Sequence, residues 1–293
     1  MPTIRRVPRL SLKNILVPTD FSVSSHSALP FASTLAAIYG STILVAHAIA
    51  PQPNRRVVAG PLSAEDDRRW QDASRKLVEF ARDPLLNNVP SRTFLNGGDL
   101  ATVIPTLVDE QHIDLIVLGT RGRRGVRKMI LGSSAESIYR SATCPVLTVG
   151  PEAHTPENWG LRRILCPVDS AENPEPALPY ALSLAEENGA ELIVLEAIPL
   201  VPWQHRLSVE RTTRRTLEGL IPDDARDWCI PRYAVRWEHP AEAILLESRE
   251  REVDLIVMSV RRSLAGSWSA RLPWPVASEV VSRAPCPVIT VRV

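Results

Sequence analysis

The feature that most constrains the fold of this chain is an internal repeat, which runs through nearly all of its 293 residues. Residues 15–20 (ILVPTD) return 149 positions later as residues 164–169 (ILCPVD), and residues 28–32 return at the same spacing. Two later blocks return at shorter spacings, 140 for residues 114–117 and 142 for residues 144–146. Four blocks in one order indicate two copies of a single domain.

The change in spacing shows where the two copies differ in length. The second copy is nine residues shorter in its middle, because the spacing falls from 149 to 140. A chain of 293 residues also has room for about two domains of roughly 150 residues each. We therefore expect domains at residues 1–152 and 160–293, with a linker around residues 150–160 that contains two prolines.

Composition and charge narrow the class of protein. The net charge of +1 gives no sign of nucleic-acid or membrane binding, and no run of about 18 apolar residues predicts a transmembrane helix. The basic first ten residues lack the apolar core of a signal peptide. The four cysteines form no CxxC pair and have no zinc-ligand spacing, so we expect free thiols in a reducing compartment and a cytoplasmic protein.

Within each copy, short apolar runs alternate with amphipathic segments. Residues 15–17 are typical of a strand buried on both faces, and residues 28–36 have the spacing of an amphipathic helix that Gly40 would end. This alternation predicts an α/β fold, a parallel sheet with helices on both faces. In the rest of the first copy we expect strands at 42–48, 91–95, 115–118 and 145–149, and helices at 66–82, 100–111 (with a kink or a late start at Pro105) and 133–142.

Ligands of such sheets bind beyond the carboxyl ends of the strands, here after Val17, Ala48 and Leu118. The segment after Leu118 has the pattern G-x2-G-x9-G-S-S, formed by Gly119, Gly122, Gly132, Ser133 and Ser134, with Arg121 and four further cations between the glycines. Glycine backbone approaches phosphate closely, and a helix N-terminus attracts anions. The alternative is a flexible basic loop with turn glycines and an ordinary N-cap serine.

These motifs together resemble the universal stress protein family, in its tandem two-domain form. The resemblance covers nearly the whole chain. Its carriers are residues 17–22 (VPTDFS), residues 114–119 (DLIVLG), the glycine loop, and Ala135-Glu136 leading to residues 144–146 (CPV). It implies two tandem copies of a five-stranded parallel sheet of strand order 3-2-1-4-5, a Rossmann-like domain.

The same resemblance implies an ATP site across the carboxyl ends of strands 1 and 4 of the first copy. A Mg²⁺ or Mn²⁺ ion would bind through the phosphates, with no metal ligands of its own in the chain. The implied contacts are Pro18, Thr19 and Asp20 on the adenine and ribose side with Ala48 at the end of strand 2; Gly119, Arg121 and Gly122 along the ribose and phosphates; and Gly132, Ser133, Ser134 and Ala135 at the phosphate tail.

Two polar residues near this site have structural interpretations beside the functional one. Asp20 follows a buried strand, where an aspartate often caps the next helix, although Ser22 or Ser24 could take that role. His47 lies on strand 2 close to the site, and we interpret it as a packed strand histidine.

The second copy keeps Asp169 but loses the glycine loop. Gly119, Gly122, Gly132 and Ser133 correspond to Ser259, Arg262, Trp274 and Pro275. Proline has no N–H to offer a phosphate, and arginine and tryptophan add bulk where bare backbone is needed. We therefore expect the second copy to keep its fold and to have lost this way of binding ATP.

Two roles for the second copy stay open. It could be a structural partner, packed on the first copy as an intramolecular pseudo-dimer through the last strands. It could instead bind another ligand or a partner, with Arg261, Arg262 and Arg271 forming an anion site.

The sequence thus indicates an ATP-binding stress-response or regulatory protein with one ATP per chain. No residue is placed as a catalytic base, so we expect at most weak ATP hydrolysis. A slow ATPase using the same site and a nucleotide-independent interaction module are the alternatives. A protein partner is expected but unidentified, a homodimer is left open, and we expect no nucleic-acid or membrane partner.

Overall fold

The computed structural model describes residues 10–50, 64–120, 135, 138–139, 142–154, 159–170, 176–199, 201–260 and 274–292. These residues divide into two compact units. The N-terminal unit contains residues 11–120 and the described residues from 131 to 146, and the C-terminal unit contains residue 10 and the described residues from 147 to 292.

In the N-terminal unit, strands and helices alternate as expected. The elements are β1 (Asn14–Pro18), α1 (Val23–His26), α2 (Leu29–Tyr39), β2 (Thr42–Ile49), α3 (Ala64–Ala81), β3 (Ser91–Gly97), α4 (Leu100–Glu110) and β4 (Leu115–Gly119). The strands are parallel in the order β3-β2-β1-β4. β5 (Val146–Val149) begins at the last residue of this unit, and the Ile116 amide of β4 donates to the Pro145 carbonyl just before it, at 3.0 Å.

In the C-terminal unit the same sequence of elements recurs. They are β6 (Arg163–Pro167), α5 (Ala177–Asn188), β7 (Glu191–Ala197), α6 (Arg206–Glu218), β8 (Pro231–Arg236), α7 (Pro240–Glu250), β9 (Leu255–Val260), α8 (Trp274–Arg283) and β10 (Val288–Arg292). Its five described strands are parallel and ordered β8-β7-β6-β9-β10, which is the implied order 3-2-1-4-5. The prediction of tandem α/β domains with parallel sheets is confirmed.

The central strands are buried because their side chains are apolar on both faces. Ile15, Leu16 and Val17 of β1 have no exposed surface, and neither have Ile164 and Leu165 of β6. The helices between the strands contribute further fully buried apolar side chains, such as Phe31 of α2 and Leu178 of α5.

The repeated DLIV block has a structural explanation in its aspartates. Asp114 Oδ2 accepts hydrogen bonds from the Lys13 and Asn14 amides at 2.7 and 3.0 Å. In the other unit, Asp254 Oδ2 accepts from the Arg162 and Arg163 amides at 3.0 and 2.9 Å. Each carboxylate joins the start of the fourth strand to the start of the first, and so fixes the register of these neighbours.

Helix ends follow the sequence signals, with one correction at Pro105. Gly40 ends α2 with φ of 65°, in the left-handed region that glycine favours. α4 begins at Leu100, where Asp99 accepts from the Ala101 amide at 3.2 Å, and continues through Pro105 to Glu110. The expected late start at Pro105 is therefore wrong, because the Asp99 cap fixes the beginning of the helix five residues earlier.

Among the described residues, no helix is both long enough and apolar enough to cross a membrane.

Candidate functional site

The turn after β1 is built around the buried side chain of Thr19. Its amide continues the sheet by donating to the Ala46 carbonyl of β2 at 2.8 Å. Its hydroxyl donates to Ser25 Oγ at 3.1 Å and accepts from the Phe21 amide at 2.9 Å. Thr19 therefore ties β1, the turn and α1 into one arrangement.

Asp20 is exposed at this turn, at the carboxyl end of β1. Its Oδ1 accepts from the Ser22 amide and from the Ser25 hydroxyl, each at 3.0 Å. Ser22 is the residue that caps α1, since its hydroxyl accepts from the Ser25 amide at 3.3 Å. Ser22 therefore caps α1, and the exposed carboxylate of Asp20 is oriented by its contacts with Ser22 and Ser25.

His47 lies beside the same turn, at the end of β2. Its Nδ1 is 2.7 Å from the Thr19 carbonyl oxygen. A carbonyl oxygen only accepts, so Nδ1 must carry the proton in this contact. The imidazole also lies against the Phe21 ring, with 4.4 Å between centroids. His47 is therefore a packed strand histidine, as interpreted from the sequence. It packs against the backbone of the candidate site.

Phe21 holds a backbone conformation that few side chains adopt. Its φ is 61°, and its ring lies between His47 and Phe80 of α3, the latter at 6.4 Å. Non-glycine residues with positive φ are uncommon and cluster at functional sites. Neither Phe21 nor Ser25 was singled out from the sequence; the VPTDFS motif contained the signal for Phe21, but no spacing signals the role of Ser25.

Gly119 lies at the end of β4, next to α1. A Cβ on this residue would lie 1.6 Å from the Ser24 carbonyl oxygen and 2.9 Å from Ser27 Oγ. The absence of a side chain is thus required by packing of α1 against β4. This glycine has a structural cause that is independent of any phosphate.

The structure brings some of the expected contacts together. Pro18 ends β1 and Thr19 and Asp20 follow it, Gly119 ends the adjacent β4, and half-buried Ala48 lies near the end of β2. Ala135 is helical and buried. The remaining expected contacts lie outside the described residues: Arg121, Gly122, Gly132, Ser133 and Ser134.

The corresponding edge of the C-terminal unit shares one backbone hydrogen bond with the N-terminal edge and has different side chains. The Val168 amide donates to the Leu195 carbonyl at 2.8 Å, as Thr19 does to Ala46. The Ser170 hydroxyl donates to Glu196 Oε1 at 2.9 Å. Burial raises the pKa of Glu196, the Ser170 hydrogen bonds oppose that rise, and the charge of Asp169 adds to it.

Ser259, which replaces Gly119, also has a structural role. It is buried, and its hydroxyl accepts from the Ala177 amide at the start of α5, at 3.1 Å. The replacement of Gly119 by Ser259 therefore accompanies a different start of helix α5. It supports the loss of the ATP site less strongly than the sequence suggested. Pro275 lies exposed in the first turn of α8, while Arg261, Arg262 and Arg271 lie outside the described residues.

Within the described part of the chain, no group of three or more His, Cys, Asp or Glu side chains could hold a metal ion.

Comparison with known proteins gives one consistent family. The sequence model of the universal stress protein family matches residues 11–150 and again residues 160–292. A universal stress protein of Mycolicibacterium smegmatis is 25% identical over 95% of this chain and 96% of its own length. Universal stress protein A homolog 1 of Coxiella burnetii is 33% identical over 47% of this chain and 95% of its own length. A universal stress protein from Archaeoglobus fulgidus has a similar solved structure, with a TM-score of 0.68, 20% identity, and coverage of 95% of this chain and 98% of that one.

Proposed function

The chain belongs to the universal stress protein family, and on that premise we propose that it is a stress-response or regulatory protein whose N-terminal unit binds one molecule of ATP. The C-terminal unit, in this proposal, serves as a structural or regulatory partner without an ATP of its own. We also place the protein in the cytoplasm, and the absence of disulfides among its four cysteines supports a reducing compartment.

The observation that carries the proposal is the place of the Asp20 turn in the sheet. The strand order is β3-β2-β1-β4, so the chain leaves β1 toward β2 on one side and has β4 on the other. The crevice at such a reversal is where open α/β sheets bind ligands. Asp20 follows β1, and the glycine loop follows β4, so the two candidate motifs begin at neighbouring positions of this crevice.

The chemistry of these residues fits a nucleotide. An exposed carboxylate accepts hydrogen bonds from hydroxyl groups, which a ribose supplies, and in dinucleotide-binding folds an acidic residue has this role. The loop from Gly119 to Ser134 offers backbone amides and five cations to a phosphate chain. Mg²⁺ or Mn²⁺ would join the site on the phosphate oxygens.

ATP would act on this protein by favouring one conformation or one partner surface. A ligand shifts only those states for which it has different affinities, so the relevant states must differ at the Asp20 turn or the glycine loop. The proposal also includes an intramolecular pseudo-dimer, formed by the two copies through their last strands. It further includes contact with another protein.

Copying the degenerate loop into the N-terminal copy tests the site. The variant Gly132→Trp with Ser133→Pro should weaken ATP binding at least about 10-fold, because the proline lacks the backbone N–H and the hydroxyl of Ser133 and the tryptophan adds bulk. Gly160→Ala is the control, since a Cβ there meets nothing within 4 Å. Affinity is measured by calorimetric titration, with circular dichroism to show that each variant is folded. Unchanged affinity in the loop variant would mean that ATP binds elsewhere.

A further inference from the structure

Among the differences between the edges of the two units is one pair of contacting side chains that are equivalent by the repeat. Phe21 and His47 correspond, 149 residues later, to Ser170 and Glu196. In both units the first residue of the pair lies in the turn after the first strand, and the second lies near the carboxyl end of the next strand. The two residues of each pair contact each other across the same gap.

The two strand side chains have opposite hydrogen-bonding roles, although their partners differ: His47 contacts the backbone of its turn, and Glu196 contacts a side chain of its turn. In the N-terminal unit, the strand side chain is the donor, since His47 Nδ1 faces the Thr19 carbonyl at 2.7 Å. In the C-terminal unit, the strand side chain is the acceptor, since Glu196 Oε1 receives the Ser170 hydroxyl at 2.9 Å. The other carboxyl oxygen of Glu196 is buried and has no hydrogen-bond partner among the described residues.

We propose that this pair determines which edge accepts the nucleotide, with His47 as the positioning residue of the Thr19–Asp20 turn and Glu196 as the residue that makes the second edge unsuitable. The inference rests on the proposed function, because it explains how one of two similar edges takes ATP. It adds a cause that is independent of the glycine loop.

The physical reason lies in what a carboxylate at position 47 would do. A carboxylate only accepts hydrogen bonds, so it could not hold the Thr19 carbonyl, and two acceptors at 2.7 Å repel each other. The turn that orients Asp20 would lose its contact with β2. Glutamate at position 47 would also place a second negative charge near Asp20, at the edge that would bind the polyanionic ATP. Glu196 and Asp169 are the corresponding two carboxyl groups in the C-terminal unit.

The matched variants His47→Glu and His47→Gln separate this role from simple packing. Glutamine has the shape of glutamate, but its Nε2 can donate to the Thr19 carbonyl. We expect calorimetric titration of the full chain with Mg·ATP to give a dissociation constant at least about 10-fold higher for His47→Glu than for His47→Gln, about 1.4 kcal/mol. His47→Gln should bind within about 3-fold of the unmodified chain. Urea unfolding of both variants shows whether the fold is kept.

The outcomes separate the two proposals. Weak binding by His47→Glu with rescue by His47→Gln supports the positioning role. Equal affinities of the two folded variants, while the unmodified chain binds ATP, overturn this inference and leave the proposed function standing. Absence of ATP binding by the unmodified chain overturns the proposed function, and the inference falls with it.

Discussion

Replacing Gly119 with alanine should destabilise the N-terminal unit by forcing α1 away from β4. The added Cβ would lie 1.6 Å from the Ser24 carbonyl oxygen and 2.7 Å from the Ser24 carbonyl carbon. Both are backbone atoms, so no side-chain rotation relieves the overlap, and the turn that carries Ser24 must move. Overpacking of this kind costs about 1–3 kcal/mol, and we expect the upper part of that range because the displaced turn also contains the Ser22–Ser25 hydrogen bonds that orient Asp20.

The assay is scanning calorimetry of the full chain. At about 2–4 °C per kcal/mol for a protein of this size, Tm of the N-terminal unit should fall by roughly 5–10 °C in Gly119→Ala. Gly160→Ala is the matched control, since its Cβ meets open space and its backbone has no left-handed φ. A melting curve of Gly119→Ala that coincides with that of Gly160→Ala would contradict the conclusion that packing against Ser24 requires a glycine here.

Three further predictions follow from charged and buried groups. Glu247 is 2% exposed and accepts a hydrogen bond from Arg236 Nε at 2.7 Å. Glu247→Gln should therefore lower the free energy of unfolding, measured in urea, by about 2–3 kcal/mol. The control Arg75→Ala, which breaks the exposed pair with Asp72, should change that free energy by less than about 1 kcal/mol. Burial raises the pKa of the Cys229 thiol to about 11. Its alkylation by iodoacetamide at pH 8, followed by mass spectrometry, should therefore be roughly 100-fold slower than that of an ordinary cysteine. The rate should increase as pH rises toward 11. Burial also raises the pKa of Glu196 above 4.5, so the unmodified chain loses stability as pH rises through that higher value. Urea unfolding should therefore show the free energy of unfolding of Glu196→Gln rising relative to that of the unmodified chain between about pH 4 and pH 8. A difference in this free energy that stays constant with pH would contradict the raised pKa.

Much of the fold could be predicted from the sequence because its signals are local or repeated. The apolar run at residues 15–17 gave β1, and the spacing of residues 28–36 gave α2 with its glycine end. The implied strand order agrees with the five strands of the C-terminal unit. The end of β3 at Gly97, two residues beyond the expected end, depends on pairing with β2 and has no local signal.

The candidate site was predicted less completely, because its contacts join residues far apart in the chain. The VPTDFS motif indicated Thr19 and Asp20, but the contact of His47 with the Thr19 carbonyl spans 28 positions and follows no periodicity. The sequence also assigned Gly119 to phosphate binding, whereas the contact with Ser24 gives it a packing cause. Side chains that meet only through the folded sheet, such as Ser170 and Glu196, leave no pattern along the sequence.

Calorimetric titration of the full chain with Mg·ATP tests the central claim most directly, because it gives affinity and stoichiometry together. We expect about one ATP per chain, bound by the N-terminal unit. Two ATP molecules per chain would contradict the assignment of the C-terminal edge as unsuitable, and no binding at millimolar ATP would contradict the nucleotide site itself.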